Sequence, residues 1–176
     1  PNVNDSINPI ALAFISGFTF IARGYAYDIR HLKDLIVKAV QHKGLAFLDI
    51  LQPCPTYNDI NTKEWFQGMD NIDQENKKAT PRIYKLESSG YNGELKDPDQ
   101  YYEIASRVIE KSNEWGDRIP IGIFYQNENV ASYDERIEMK IENYLNYPPA
   151  KQEIILDKNK TNSNINELLK SFKVNA

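Results

Sequence analysis

Apolar and polar positions along the chain change period from block to block, and those changes mark the elements. Asn8 followed by Pro9 starts a helix. Asparagine caps the orphan N–H groups of a first turn, and proline at the first helical position gives up a donor that would be unpaired anyway. The run Ile10, Ala11, Leu12, Ala13, Phe14, Ile15 up to Gly17 predicts a short buried helix. Residues 18–22 are aromatic and β-branched and predict a strand leading into Arg23 and Gly24. Asp28 can cap a helix over 29–43, where Ile29, Leu32, Leu35, Ile36, Ala39 and Val40 recur at helical spacing and Gly44 stops the run. Residues 45–51 are then nearly continuous apolar positions interrupted by Asp49, the pattern of a strand buried on both faces. Helix, strand, helix, strand with short connections is an α/β order.

Between residues 58 and 96 the periodicity fades. Trp65, Phe66 and Met69 predict a short anchor helix, and the rest reads as turns and polar loop. Connections this long are usually functional or cover a partner, since most run ~4–6 residues. Order returns at Asp97-Pro98, again cap then proline, with Tyr101, Ala105, Val108, Ile109 and Trp115 as a helical stripe closed by Gly116. Residues 119–125 predict a strand whose early Pro120 suggests an edge or first position. Ser132 and Glu135 have capping-box spacing, with Ile137 and Ile141 as the buried side of the helix they would begin. Pro148-Pro149 ends that helix, and a short amphipathic piece follows at Ile165, Leu168, Leu169 and Phe172.

Composition narrows the function classes. The 176 residues carry a formal net charge of -4, which argues against the basic footprint of a nucleic-acid binder. No apolar run approaches the ~20 residues of a membrane span. With 1 cysteine there is no internal disulfide. A cytoplasmic globular protein is expected. Because the chain opens on Pro1 without the pattern of a signal peptide, the sequence is read as the C-terminal part of a longer chain.

Cys54 is the position where chemistry concentrates. It follows the apolar strand in Gln52-Pro53-Cys54-Pro55-Thr56-Tyr57-Asn58, and ligands of open α/β sheets bind beyond the carboxyl ends of strands. Prolines on both sides fix the local backbone, which suits a sulfur that must be aimed. The bland reading is a small buried hydrophobe. A nucleophilic thiolate would need a base, and His31 and His42, the 2 histidines, both fall on the helix over 29–43, with His42 expected as a solvated residue near its end. A redox disulfide lacks its second cysteine. A metal ligand is the third reading, but one thiolate cannot hold an iron–sulfur cluster, which usually takes four cysteines, so its partners would come from elsewhere. Asp49 reads as an acid paired with a backbone or arginine donor, and Arg23 as a structural ion pair or an anion contact at the same sheet edge.

Three segments, GFTFIARGYAYD (17–28), HKGLAFLDILQPCPTYNDINTKEW (42–65) and KSNEWGDRIPIGIFYQNE (111–128), resemble the β subunit of archaeal-type 2-oxoacid:ferredoxin oxidoreductases. The resemblance runs over about residues 8–137 and weakens in the last forty; QPCPTYND and EWGDRIPIG carry its specificity. It implies an enzyme that decarboxylates a 2-oxoacid such as pyruvate or 2-oxoglutarate on thiamine diphosphate with Mg2+, forms an acyl-CoA from coenzyme A, and passes electrons through a 4Fe–4S cluster to ferredoxin. It implies an α subunit as partner in a heterodimer. By motif, Cys54 is the last cysteine ligand of the cluster. The other three cysteines and the GDG…N segment that binds the diphosphate and magnesium lie upstream in family members, so no catalytic residue is assigned in this segment.

The implied fold is α/β: the C-terminal part of a thiamine diphosphate-binding domain over residues 1–126, with a mostly parallel sheet flanked by helices and a long insertion at about 58–96. Residues 127–176 would form a C-terminal extension. The alternative is a non-catalytic α/β assembly module of a larger complex. Thr56 and Tyr57 would pack near the cluster without a chemical step, and Trp65 and the tyrosines would serve core or subunit interface.

Overall fold

The computed structural model describes residues 6–70, 72, 78–152, 155–157 and 160–161. The chain divides into two compact units, residues 1–132 and 133–176. The first unit holds a four-stranded sheet in the order β2-β1-β4-β3, made of β1 (Phe20–Tyr25), β2 (Ala46–Leu51), β3 (Ile83–Lys85) and β4 (Ile119–Gln126). β1 and β2 are parallel, as are β3 and β4, while β1 and β4 are antiparallel. The sheet is therefore mixed, with two of its three pairings parallel.

The alternation of side chains along β1 decides the layers. Phe20 and Ala22 face helix α2 (Ile29–Gln41), where they cluster with its Leu35 and Ala39 and with Ala46 and Leu48 of β2. Ile21 faces the other side, against Ile10, Ala13 and Phe14 of α1 (Pro9–Ile15) and Ile104 and Val108 of α4 (Tyr101–Ser112). Helices thus cover both faces, and α1 and α4 pack as neighbours on one of them. Asn8 joins these two helices: its Oδ1 accepts from the Ala11 N–H as an N-cap, and its Nδ2 donates to the Ser112 carbonyl at 3.0 Å. Asp28 caps α2 as expected, accepting from His31 N–H at 3.2 Å.

Two strands differ from the sequence reading. β2 lies at the edge of the sheet and its residues are half-buried or exposed, Ile50 among the latter, because among the described residues only β1 pairs with it. β4 is central although it carries Pro120. The proline is tolerated because β4 starts three residues before its pairing with β1: Pro120 pairs with Tyr84 of β3, whereas the β1 register reaches only to Gly122. Its missing N–H therefore removes no bond to β1. Trp115 lies past the end of α4, in the loop to β4, and Ile104 takes the buried place expected of Tyr101.

The stretch over 58–96 contains α3 (Lys63–Phe66), β3 and a 3-10 turn over Leu86–Ser89. In the second unit, α5 (Tyr133–Glu138) has no buried residue and Ile141 is exposed, against the buried stripe the sequence suggested. β5 (Ile155–Asp157) and β6 (Lys160–Thr161) pair antiparallel. Ile165, Leu168, Leu169 and Phe172 lie outside the described residues. No helix among the described residues is long and apolar enough to cross a membrane.

Candidate functional site

β2 ends at Leu51, and two residues later the chain turns sharply on itself. The Cys54 carbonyl accepts from the N–H of Tyr57 at 3.1 Å and of Asn58 at 2.8 Å, and Cys54 and Asn58 form an isolated antiparallel bridge. The Asn58 side chain extends the turn, accepting from the N–H groups of Ile60 at 3.1 Å and Asn61 at 3.0 Å. Flanked by Pro53 and Pro55, the cysteine backbone is tied from both directions. Its thiol is free and exposed, so the reading of Cys54 as a buried hydrophobe is not met. Thr56 and Tyr57 at the tip are also exposed, Tyr57 to 92%.

Cys54 lines a hollow of about 240 Å³ together with Leu51, Gln52, Asn58, Asn61, Phe66 and Trp115. Leu51, Phe66 and Trp115 make up its apolar lining. Phe66 is buried, stacking edge-on against Trp65 and packing with Tyr25, Ile119 and Ile121. Thr62 caps α3 by accepting from Trp65 N–H at 3.3 Å, which sets the position of this wall.

An arginine the sequence reading missed holds the loop down. Arg82 is buried, its guanidinium lies 4.6 Å over the Trp65 ring, and it donates to the Trp65 carbonyl at 2.7 Å. It also forms a two-pronged pair with Asp70, whose carboxyl is held below its ordinary range chiefly by that hydrogen bond. No sequence signal marks Arg82, because its partners are twelve and seventeen residues away in a segment without periodicity.

A larger hollow of about 490 Å³ adjoins the first, sharing Leu51, Asn61 and Trp115. Arg23 and Asp49, opposite each other on β1 and β2, line it, with Arg23 Nε donating to Asp49 Oδ2 at 2.7 Å. Asp49 thus finds the arginine donor, and Arg23 the structural ion pair, that the sequence suggested for each separately.

The histidines serve elsewhere. The His42 side chain is fully buried rather than solvated, with Nε2 2.8 Å from Thr19 Oγ1, because the chain closes over it between α2 and β2. Burial pushes its pKa below the ordinary 6.5. His31 Nε2 lies 3.6 Å from Glu87 Oε1. Neither ring lines the hollow beside Cys54, so the structure offers the thiol no histidine base there. Among the described residues, no group of three or more His, Cys, Asp or Glu side chains is arranged to hold a metal ion.

Residues 54–140 match the family described as the C-terminal region of the pyruvate ferredoxin oxidoreductase beta subunit. The chain is 54% identical over 175 residues to a 2-oxoacid:ferredoxin oxidoreductase subunit beta from a Sulfolobus species, a match covering 99% of this chain and 53% of that protein. It is 49% identical over 175 residues to the subunit beta of the same name from Saccharolobus solfataricus, again covering 99% and 53%. The chain spans about half the length of the curated relatives it matches. A solved 2-oxoglutarate:ferredoxin oxidoreductase from Magnetococcus marinus, with 2-oxoglutarate, coenzyme A and succinyl-CoA bound, shares the fold at a TM-score of 0.61 and 18% identity, over 98% of this chain and 47% of that one.

Proposed function

Over the residues it spans, the chain belongs with the 2-oxoacid:ferredoxin oxidoreductase β subunits, and from that premise we propose that it forms the C-terminal part of such a subunit, with Cys54 as one ligand of a 4Fe–4S cluster. The whole enzyme would convert a 2-oxoacid and coenzyme A to an acyl-CoA and deliver the electrons to ferredoxin, in the cytoplasm and in complex with an α subunit.

The observation that carries this reading is the placement of Cys54. A soft sulfur donor stands free at the carboxyl end of a strand, on a backbone tied by two prolines and two hydrogen bonds, and lines a hollow together with Leu51, Phe66 and Trp115. That donor fits one corner of a cluster. With 1 cysteine in the sequence, three further ligands must come from polypeptide outside this segment. No group of three or more His, Cys, Asp or Glu side chains among the described residues is arranged for Mg2+, and we assign it and thiamine diphosphate to residues upstream.

Within this segment the work is positional. Pro53, Pro55 and the turn at 54–58 hold the sulfur in one place. Leu51, Phe66 and Trp115 give the hollow beside it an apolar wall, and Arg82 keeps that wall in register by gripping the Trp65 carbonyl and Asp70. When bound, the cluster would accept and release single electrons.

Cys54→Ala in the full-length β subunit, assembled with its α subunit, tests the reading. Loss of iron and of the four-iron spectroscopic signal, with ferredoxin reduction abolished, is the expected result. An intact cluster signal with normal turnover would overturn it, and absence of iron from the wild-type complex would favour the assembly-module alternative.

A further inference from the structure

Trp115 is fixed by the residues on either side of it and is nevertheless left half exposed. It belongs to the turn between α4 and β4 and is 52% exposed. Glu114, just before it, is gripped from two elements: Lys111 Nζ of α4 donates to Oε1, and the Tyr84 hydroxyl of β3 donates to Oε2. Gly116, just after it, has a φ of +87°, which side chains other than hydrogen rarely tolerate. Arg118 lies 4.7 Å over the same Tyr84 ring and ties the far end of the turn to β3.

A turn anchored in this way sets the position of the side chain between its anchors. Trp115 lines the hollow that Cys54 lines, and the larger hollow next to it. Of the other apolar residues beside the thiol's hollow, Leu51 and Phe66 pack into the core with Tyr25, Ile119 and Ile121. Trp115 stands outside that core, its ring centroid 6.4 Å from that of Trp65. Single exposed apolar residues are ordinary and need no function. Trp115 differs in sharing the Cys54 hollow on a turn that Glu114 clips to both α4 and β3.

We propose that Trp115 shields the cluster ligated by Cys54 from water, and that Glu114 is the positioning residue that keeps it there. This deepens the cluster reading and rests on it. A reduced cluster carries one more negative charge than an oxidised one. Water stabilises that extra charge and an indole in its place does not, so a shielded cluster holds a lower potential. The apolar shell of a metal site tunes its potential through this control of solvent access. Trp115 can be replaced without opening the core, which makes the effect separable from folding.

Redox titration of the full-length β subunit assembled with its α subunit, followed by the paramagnetic signal of the reduced cluster, tests this. Trp115→Ala should shift the one-electron equilibrium at least about threefold toward the reduced form, about 28 mV. In D2O its cluster should also couple more strongly to solvent deuterons than the wild-type cluster does. A smaller shift, a fall in potential or an unchanged deuteron coupling would overturn the proposal. Glu114→Ala should move both readings the same way, and Glu114→Gln, which keeps an oxygen for the Tyr84 hydroxyl, should return them toward wild type. Wild-type readings in Glu114→Ala would overturn its positioning role. Should Trp115→Ala assemble without a cluster, Trp115→Leu is judged by the same two readings. The two assignments fail separately. A cluster lost on Cys54→Ala but unmoved by Trp115→Ala sinks only the shield, and one that survives Cys54→Ala while responding to Trp115→Ala sinks only the ligand.

Discussion

Arg23 and Asp49 stand directly opposite each other across the parallel β1–β2 ladder, with Nε and Oδ2 2.7 Å apart and side-chain exposures of 4% and 19%. The asymmetry in burial predicts an asymmetry in mutational cost. Removing one partner of a buried pair strands the other charge, at a cost of about 3–5 kcal/mol when it stays dry. Asp49→Ala strands the deeply buried guanidinium, so we expect a loss near the lower end of that range, about 3 kcal/mol. Asp49→Asn, which keeps an acceptor oxygen, should cost less, and Arg23→Met less again, because the carboxylate left behind reaches water. Urea unfolding of the full-length β subunit measures the order. A loss below about 0.5 kcal/mol for Asp49→Ala, the range of ordinary surface changes, would contradict it.

His42 predicts how stability depends on pH. Burial favours its neutral form, against a weaker opposing pull from Glu128 4.0 Å away, so its folded pKa lies below 6.5. In the window between that value and the pKa of the unfolded chain, the unfolded state binds more protons, and stability rises with pH. His42 therefore contributes fully above pH about 6.5, and its contribution is lost as pH falls through the window, with a slope of at most about 1.4 kcal/mol per pH unit. Unfolding free energies from pH 7.5 to 5 for wild type and His42→Gln should show this slope in the former and its loss in the latter. Parallel curves would refute the assignment.

What the sequence could disclose was local. Asn8-Pro9 and Asp28 act through neighbours three residues away, and both caps are where the pattern places them. The α2 stripe and the strand leading to Cys54 follow from period alone, as does the pairing need of Asp49 within an apolar run. The remainder depends on contacts far apart in the chain. Pro120 hides the centrality of β4 because its tolerance comes from the offset between two registers. His42 is buried by Thr19, twenty-three residues before it. The larger hollow exists only because the end of α4 and the start of α1 meet over β1 and β2, which no window of sequence contains.

Gly68 is the tightest point of the loop that Arg82 holds. Its φ is +68°, and a Cβ there would lie 1.8 Å from the Thr80 carbonyl oxygen, backbone that cannot swing aside. Adjacent main-chain bonds, Gly68 N–H to the Trp65 carbonyl at 3.0 Å and Arg82 N–H to the Phe66 carbonyl at 3.1 Å, hold both strands of this crossing. Gly68→Ala should therefore cost more than the ~1–2 kcal/mol of a left-handed alanine alone, and should loosen the Trp65–Phe66 wall, seen as faster hydrogen exchange over residues 63–68. A variant as stable and as protected as wild type would show that the two backbones do not meet so closely.

Under the proposed assignment of Cys54 to a cluster, the prolines around it would bear on the electron step. In the turn at 54–58 the N–H groups of Tyr57 and Asn58 are spent on the Cys54 carbonyl, and Pro53 and Pro55 have none. Few main-chain donors near the sulfur remain to bond a cluster. Hydrogen bonds to cluster and cysteine sulfurs stabilise the more negative, reduced form, so a site poor in them holds a lower potential. Ferredoxin is itself a low-potential acceptor, and the direction suits its reduction. Pro55→Ala returns one N–H beside the thiolate and frees the φ that the ring had fixed. Both consequences are measurable on the assembled enzyme. The cluster potential should rise, by tens of millivolts in a redox titration followed by its paramagnetic signal, and ferredoxin reduction should slow while decarboxylation of the 2-oxoacid with an artificial acceptor of higher potential is kept. The split between the two acceptors separates a change of potential from a loss of cluster, which would slow both. A potential unchanged or lowered in Pro55→Ala would show that the prolines act on the cysteine only as a mechanical brace.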